Sequence, residues 1–284
     1  MQKFAARRVG LFARYSPFDC AVGDEGSVTR YNAQSDVCFS PHCLKAMREW
    51  LRNEVYKSLE ALNSEWDTGY VSWDNVRPLT LKEVRTRGGG NYAPWADHRT
   101  FMERTWTNWQ RLAGQAIHSK APHALIGVWG EPNSEAYGGW DYWQLNQVLD
   151  TRLPRERGNL DHLVASFARP ETRWSRPHGG GAGGDQKDND AGIAWKMWMT
   201  FVVGNNIRQY WMGAMYFDMS TLRRSPHWAE TRRLNTEVFG RGLGQLWVAA
   251  HRTHDGVAIH YSMPSIHAAR ATDDHESLSG LRDS

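Results

Sequence analysis

Hydrophobic positions along the chain form two patterns, short apolar runs between turn residues and longer stretches in which apolar residues recur every three or four positions. The runs are typical of strands, and the spaced positions are typical of one face of a helix. Strands are therefore predicted at residues 20–22, 124–129, 207–217 and 256–261, with two further candidates at 148–149 and 160–167. Helices are predicted at residues 40–62, 97–118, 140–148, 191–203 and 228–250.

The first predicted helix has a recognisable start. Ser40 can accept a hydrogen bond from a free backbone N–H of the first turn, and Pro41 is favoured within that turn. Four other segments show no such pattern, namely the Arg-rich residues 1–16, the Pro- and Gly-interrupted residues 66–96, the Gly- and Asp-rich residues 176–190, and the polar tail after residue 271.

Predicted strands and helices alternate along the chain, which indicates an α/β fold with parallel strands. Polar and aromatic residues with glycine follow the predicted strands. Such loops are typical of the carboxyl-terminal face of a (β/α)8 barrel of the TIM-barrel type, where active sites lie. About five strands precede the last predicted helix, whereas a closed barrel needs eight. The sequence therefore predicts an incomplete barrel.

Fifteen tryptophans are the most unusual feature of the composition. Many are expected in the core, but the excess favours a carbohydrate or another flat ligand that stacks on indole rings. The 34 basic and 31 acidic residues give a net charge of only +3 and are interleaved, which argues against nucleic-acid binding.

Other compositional features concern the location of the protein. The sequence has no apolar run of membrane-spanning length and no signal pattern at its start, so no membrane partner is expected. Three cysteines, an odd number, argue against a disulfide framework and for a reducing compartment. A cytoplasmic location is predicted.

An acidic pair beside glycine ends the first apolar run, in Val22-Gly23-Asp24-Glu25-Gly26. This order puts a carboxylate at the carboxyl end of a strand. A segment rich in Trp and Asn follows, with Arg48-Glu49-Trp50-Leu51 and Leu62-Asn63-Ser64-Glu65-Trp66-Asp67-Thr68. The arrangement resembles family 42 of the glycoside hydrolases, the β-galactosidase-like enzymes, around the acid that protonates the leaving group.

The resemblance extends from about residue 15 to residue 270. Cys43 and Trp140-Asp141-Tyr142-Trp143 are similar to later family elements, and residues 256–265 resemble the first strand of the family's trimerisation domain. The likeness begins at barrel strand four. It thus implies a partial barrel of strands four to eight in residues 1–250, and the start of a trimerisation-like domain with a polar tail in residues 251–284.

The resemblance implies a retaining β-glycosidase, most closely of the β-galactoside type, with Glu25 as the acid/base. Such an enzyme needs a second carboxylate about 5–5.5 Å away as the nucleophile. We expect Glu171, which follows the apolar run 160–167, with Asp185 in the Gly-rich loop as its competitor. The family's Asn before the acid/base is Asp24 here; Asn can donate a hydrogen bond to a sugar hydroxyl, whereas ionised Asp only accepts one.

Five residues are expected to bind the substrate. Trp129 and Trp211 lie near predicted strand ends and could stack beneath a sugar, although core packing is an equally good interpretation. Glu131 and Asn133 follow the strand at 124–129, and Asp24 adjoins the acid/base. These polar side chains are expected to contact sugar hydroxyls.

No metal or cofactor is expected, because acid/base and nucleophile chemistry needs none. Cys38, Cys43, Cys20 and His42 could supply four ligands on paper, but their spacing is not that of a zinc finger, and buried thiols are expected instead. A carbohydrate substrate is the expected partner, with a homo-oligomer possible because the family forms trimers. The alternative is a catalytically inactive carbohydrate-binding remnant of a glycosidase barrel.

Overall fold

The computed structural model describes residues 2–30, 33–154, 160–175, 177–178, 190–207, 209–210, 216–250, 253 and 256–272. Within these residues the strands are β1 (Asp19–Asp24), β2 (Leu125–Glu131), β3 (Thr151–Pro154), β4 (Arg173–Trp174), β5 (Pro177–His178) and β6 (Gln209–Tyr210). The helices are α1 (Gln2–Phe12), α2 (Pro41–Trp50), α3 (Leu59–Trp66), α4 (Leu81–Arg87), α5 (Ala93–His118), α6 (Tyr142–Asn146), α7 (Leu160–Phe167), α8 (Asp190–Val202), α9 (Pro226–Val238), α10 (Leu243–Ala249) and α11 (Met263–Thr272).

The strands pair in the order in which they occur along the chain. β1, β2, β3 and β4 form one sheet in that order, and every pair is parallel. β5 and β6 form a second parallel pair. Asn206 and Ile207, just before β6, donate backbone hydrogen bonds to Trp174 O of β4 at 3.1 and 3.3 Å. The predicted α/β fold with a parallel sheet is confirmed.

Because the strands are parallel, their carboxyl ends lie at one edge of the sheet. We call this edge, formed by the ends of β1, β2 and β3 at Asp24, Glu131 and Pro154, the carboxyl edge. The opposite edge, where β1 and β4 begin at Asp19 and Arg173, is the amino edge. The two edges decide which side chains can act together.

Helices cover one face of the sheet. Ile126 and Val128 of β2 are fully buried in the main core, together with Ile117 of α5 and Leu145 of α6. Alternate residues of a strand point to opposite faces, so the two β2 side chains lie on the same, helix-covered side. The packing of the long helix α5 thereby fixes the position of β2, which pairs with both β1 and β3.

The predicted helix at 40–62 is interrupted in the structure. Ser40 caps α2 as expected, its Oγ accepting from Cys43 N at 3.3 Å. The helix ends in a π-helical turn at Leu51–Val55, and α3 starts again after Ser58, whose Oγ accepts from Ala61 N at 3.1 Å. A second capping residue inside an apolar repeat was therefore the signal for the break.

Two strand predictions before β4 were wrong. Residues 160–167 form helix α7, because their apolar residues recur at three- and four-residue steps and bury Leu160 and Val164 against the sheet. Residues 148–149 belong to the turn after α6, where Leu149 N donates to Leu145 O, and β3 starts at Thr151.

Predictions in the last third of the chain also need correction. The predicted helix at 228–250 is two helices, α9 and α10, separated by Gly242 in a left-handed conformation (φ 78°). Of the predicted strand at 207–217, Gln209–Tyr210 form β6 and residues 211–215 lie outside the described residues. Residues 256–262 form no strand and lead into α11.

Helix α11 packs on α5 through a buried pair. His267 Nε2 lies 2.7 Å from Glu103 Oε1, and each side chain is 2% exposed. Arg85 of α4 also donates to the backbone oxygens of Arg270 and Ala271. The strand expected to open a trimerisation-like domain is thus absent among residues 256–272, and the domain boundary at residue 250 stays a prediction.

Two of the segments without a clear pattern also have structure. Residues 2–12 form α1, which packs on α5, and a 3-10 turn follows at Ala13–Tyr15. The connection at 66–96 contains a 3-10 turn at Trp73–Asn75 and the capped helix α4.

In the described part of the chain, no helix combines the length and the apolar content that crossing a bilayer requires.

Candidate active site

Glu25 lies directly after β1, at the carboxyl edge, and its side chain is exposed. Its backbone N donates to Trp129 O of β2 at 2.9 Å. The residue has a left-handed conformation with φ 51°, which is uncommon for a residue with a side chain. The strand end therefore turns sharply at Glu25, and a cross-strand hydrogen bond holds that turn.

Gly130 lies against this turn from the neighbouring strand. A Cβ added to Gly130 would lie 2.7 Å from Glu25 Cγ, 2.8 Å from Asp24 Oδ1 and 3.2 Å from Glu25 N. Gly130 itself has φ 64°, a conformation that glycine adopts without cost. The acidic pair can reach its position only because β2 carries no side chain at this point.

Two buried indole rings hold the backbone that follows Glu25. Trp140 Nε1 donates to Gly26 O at 3.0 Å, and Trp140 is fully buried. A Cβ on Gly26 would lie 2.9 Å from the ring of Trp106, which in turn stacks on Trp109 with ring centroids 5.2 Å apart. Trp106 and Trp140 therefore hold the loop by packing, and their side chains have too little exposed surface to contact a sugar.

The sheet face opposite the helices carries polar groups near the amino edge. Asp19 Oδ1 accepts from Thr151 Oγ1 at 2.8 Å, and Asp19 Oδ2 lies 3.4 Å from Trp129 Nε1. Burial raises the pKa of Asp19, an effect that these two hydrogen bonds oppose. Sequence reasoning missed Asp19; its only signal is that it starts the strand that ends at Asp24.

Asp24, Trp129 and Asn133 lie near the carboxyl edge. Asp24 is exposed and is paired in register with Trp129, which is half-buried. Asn133 is half-buried in the loop after β2. These three residues surround the β1–β2 junction that holds Glu25. Trp211 lies outside the described residues.

Glu131 is held inside the fold. Its side chain is 0% exposed and forms a bidentate ion pair with Arg152, whose Nε and Nη2 lie 2.9 and 2.5 Å from the two carboxylate oxygens. Leu153 N also donates to Glu131 Oε1 at 2.9 Å. A side chain without exposed surface does not reach a sugar, so its role is to fix the end of β2 against β3.

Glu171 lies at the opposite edge from Glu25. It precedes β4 and pairs with Arg169 at 3.2 Å, which also binds Asp150, the residue before β3, at 2.8 Å. Strands rise about 3.3 Å per residue, so the six residues of β1 separate the two edges by roughly 15 Å or more. The structure does not bring Glu171 and Glu25 together. Asp185 lies outside the described residues.

A hydroxyl group missed by sequence reasoning joins the C-terminal segment to the loop after β2. Tyr261 Oη accepts from Tyr142 N at 3.0 Å and lies 2.9 Å from Ser134 Oγ. Burial raises the pKa of Tyr261 well above its usual range, so this hydroxyl stays protonated. Tyr261 stood in a predicted strand, which gave no signal of such a contact.

Metal ligation has no support in the described residues. Among them, no group of three or more His, Cys, Asp or Glu side chains is arranged to hold a metal ion. Cys20, Cys38 and Cys43 are half-buried free thiols.

Residues 29–155 match the model of glycoside hydrolase family 42, described as beta-galactosidase. The resemblance to family 42 is confirmed. The match begins just after the acidic pair, so Asp24 and Glu25 lie outside the matched residues. No curated protein matches the chain.

Solved structures of glycosidases share the fold. The beta-galactosidase of Bacillus circulans sp. alkalophilus is 16% identical with a TM-score of 0.63, covering 96% of this chain and 44% of its own. The beta-galactosidase of Halorubrum lacusprofundi is 14% identical with a TM-score of 0.62, and the comparison covers 95% of this chain and 44% of that protein. The catalytic domain of the beta-amylase of Paenibacillus polymyxa is 16% identical (TM-score 0.58), with 82% of this chain and 66% of that domain covered. The chain spans less than half the length of these β-galactosidases.

Proposed function

We propose that this chain is a retaining β-glycosidase that acts on β-galactoside-type substrates at the carboxyl edge, with Glu25 as the acid/base. The observation that carries the proposal is the position of Glu25, an exposed carboxyl group at the end of a parallel strand, held by Trp129 O and packed on Gly130. The match to family 42 over the adjoining residues supports a glycosidic substrate.

The proposed reaction uses two carboxyl groups. Glu25 donates its proton to the glycosidic oxygen as the bond to the leaving group breaks, and a second carboxylate attacks the anomeric carbon. Glu25 is ionised after this step, and it then takes a proton from the water molecule that releases the sugar. Glu25 must therefore stay in contact with solvent and substrate, which suits its exposed side chain.

The second carboxylate has to lie at the same edge as Glu25. Glu171 precedes β4 and pairs with Arg169, which argues against it. Asp185, the other carboxylate that the sequence offers, follows β5 in the chain and lies outside the described residues. We therefore propose Asp185 as the nucleophile, in preference to Glu171.

Substrate contacts are proposed for the residues around the β1–β2 junction. Asp24 offers an acceptor for a sugar hydroxyl and Asn133 both a donor and an acceptor. Trp129, whose indole N–H is turned towards Asp19, stays a proposed stacking residue. Trp211 stays a proposed stacking residue. Glu131 contributes indirectly, because its ion pair with Arg152 holds the end of β2.

We further propose that the six strands correspond to barrel strands four to eight, with β4 and β5 as two parts of one barrel strand, because the residues just before β6 donate backbone hydrogen bonds to Trp174 of β4. A homotrimer and a cytoplasmic location stay predictions from the sequence.

A second candidate is a carbohydrate-binding protein without hydrolytic activity. The separation of Glu171 from Glu25 favours it, because the double displacement needs a second carboxylate at the carboxyl edge, whereas sugar binding does not.

Turnover of a nitrophenyl β-galactoside by the wild type, Glu25→Gln and Glu171→Gln separates these functions. The proposal predicts activity in the wild type, retention in Glu171→Gln and loss in Glu25→Gln. Glu171→Gln is the matched control, because it removes one exposed carboxylate from the amino edge. A wild type that does not turn over the substrate, but whose tryptophan fluorescence changes with galactose, would support the binding protein. Loss of activity in Glu171→Gln would contradict the assigned site.

A further inference from the structure

Two thiols lie at the start of α2, away from the carboxyl edge. Cys38 is two residues before the capping residue Ser40, and Cys43 is in the first turn of the helix. Both are half-buried, and both contact Ser40: Cys38 Sγ lies 3.2 Å from Ser40 Oγ, and Cys43 N donates to the same oxygen at 3.3 Å. Both side chains pack on the same core cluster, which contains Met47 and Leu51.

The backbone of Cys38 is fixed by α5. His98 Nε2 donates to Cys38 O at 3.2 Å, and Arg99 Nη2 donates to Val37 O at 2.8 Å. His98 Nδ1 in turn accepts from Arg99 at 2.8 Å. Burial and the Arg99 charge lower the pKa of His98 to about 3, so the ring is neutral and carries its proton on Nε2. The backbone of Cys38 is thereby held at the start of α2.

The two thiols differ chemically. Hydrogen bonds from the hydroxyl and the backbone N of Ser40 lower the pKa of Cys38, whereas burial and the Cys38 thiol raise the pKa of Cys43 to about 11. Such an asymmetry is typical of a nucleophilic thiol beside a resolving thiol. Cys20, in β1, has no such partner among its described contacts; burial and the Asp19 carboxylate raise its pKa.

We propose that Cys38 and Cys43 form an oxidation site that a hydroperoxide converts into an intramolecular disulfide. The Cys38 thiolate attacks the terminal oxygen of the hydroperoxide, the O–O bond breaks, and Cys38 sulfenic acid forms with release of an alkoxide, or of hydroxide when the oxidant is hydrogen peroxide. The Cys43 sulfur then attacks the Cys38 sulfur, the S–O bond breaks, and water leaves with the Cys43 proton. Both cysteines lose one electron to the peroxide, and a thiol reductant reverses the step.

The structural consequence is a covalent tie between α2 and the segment before it. That segment carries Asp36, whose Oδ1 accepts from Trp95 Nε1 at 2.8 Å. Oxidation would thus lock the contact between α2 and α5 without touching Glu25. The inference does not depend on the proposed glycosidase activity.

Peroxide treatment of the intact protein, followed by peptide mass spectrometry, tests the proposal. We expect a reducible link between the peptides of Cys38 and Cys43 and an unmodified Cys20. In Cys43→Ser, Cys38 should stop at the sulfenic acid and react with dimedone, while Cys20→Ser, the matched control, should form the link as the wild type does. These variants keep the side-chain size.

A second measurement needs no variant. Iodoacetamide should label Cys38 on the order of tenfold faster than Cys20 in the reduced wild type, because more of Cys38 is thiolate. Equal labelling, a link that includes Cys20, or links only between molecules would overturn the proposal. So would dimedone labelling of Cys38 in the wild type at the level found in Cys43→Ser.

Discussion

Gly130 packs on Glu25 so closely that a single added carbon would lie 2.7 Å from Glu25 Cγ. The left-handed conformation of Gly130 adds a cost of roughly 1–2 kcal/mol for any residue with a side chain. Gly130→Ala should therefore destabilise the fold by about 1–3 kcal/mol and displace Glu25, with a loss of any activity that depends on it.

Gly23→Ala is the matched control for this change. Gly23 lies in β1, and a Cβ there meets nothing within 4 Å. We expect its free energy of unfolding in urea to stay within about 0.5 kcal/mol of the wild type. Equal losses in the two variants would contradict the contact between Gly130 and Glu25.

The ion pair between Glu131 and Arg152 should be strongly coupled. Both side chains are fully buried, so removal of one partner leaves a charge without compensation, at a cost of about 3–5 kcal/mol. Glu131→Met and Arg152→Met should each lose this amount. The double variant should lose much less than the sum, since it buries no charge, and additive losses in urea denaturation would contradict a buried pair.

Asp97 offers a test of stability against pH. Tyr56 Oη and Trp66 Nε1 both donate to Asp97 Oδ2, at 2.6 and 2.7 Å. Burial raises the pKa of Asp97, although these hydrogen bonds oppose the rise. A carboxyl group whose pKa is raised by folding stabilises the fold fully below its ordinary pKa, and that contribution is lost as the pH rises through the folded value.

Asp97→Asn should therefore gain stability relative to the wild type as the pH rises above the ordinary Asp pKa of about 4. The amide oxygen can accept both hydrogen bonds, and no charge is buried. Asp97→Ala, in contrast, removes the acceptor of the buried Trp66 and the half-buried Tyr56 and should cost about 1–3 kcal/mol. A difference in stability between the Asp97→Asn variant and the wild type that does not change with pH would contradict the raised pKa.

Trp140 should matter for the loop that follows Glu25. Trp140→Phe removes the hydrogen bond to Gly26 O from a fully buried site, and we expect a loss of about 1–3 kcal/mol. Trp143→Phe is the control, because Trp143 is 55% exposed and contacts Phe167 only at its edge. If thermal unfolding shifts equally in both variants, Trp140 does not hold this loop.

Local patterns predicted the first strand, the start of α2, the long helix α5 and β2, since each is set by neighbouring residues. Ser40 is an example: its capping role depends on residues within one helical turn. The α/β class followed from the alternation of these elements. The position of Glu25 after β1 followed too, because a strand that ends in Asp24-Glu25 sets the edge at which the carboxyl group lies.

The remaining site residues depend on contacts between distant parts of the chain. The apolar run at 160–167 predicts a strand with Glu171 at its end, whereas in the structure the run forms helix α7 and Glu171 lies before β4. Glu131 followed the predicted strand, but its partner Arg152 lies 21 positions away. A short apolar run does not by itself distinguish a helix from a strand, and nearby residues do not identify the partner of a buried charge.

The dependence of activity on the leaving group tests the central claim most directly. Glu25→Gln can no longer donate a proton, so hydrolysis of a methoxyphenyl β-galactoside should fall by about 10²–10⁴, the usual contribution of a general acid. For a dinitrophenyl β-galactoside, whose leaving group needs no proton, kcat/KM should fall far less, because kcat/KM reports the first step and not the later step in which Glu25 acts as the base. Equal losses on both substrates, or no loss on either, would contradict the assignment of Glu25 as the acid.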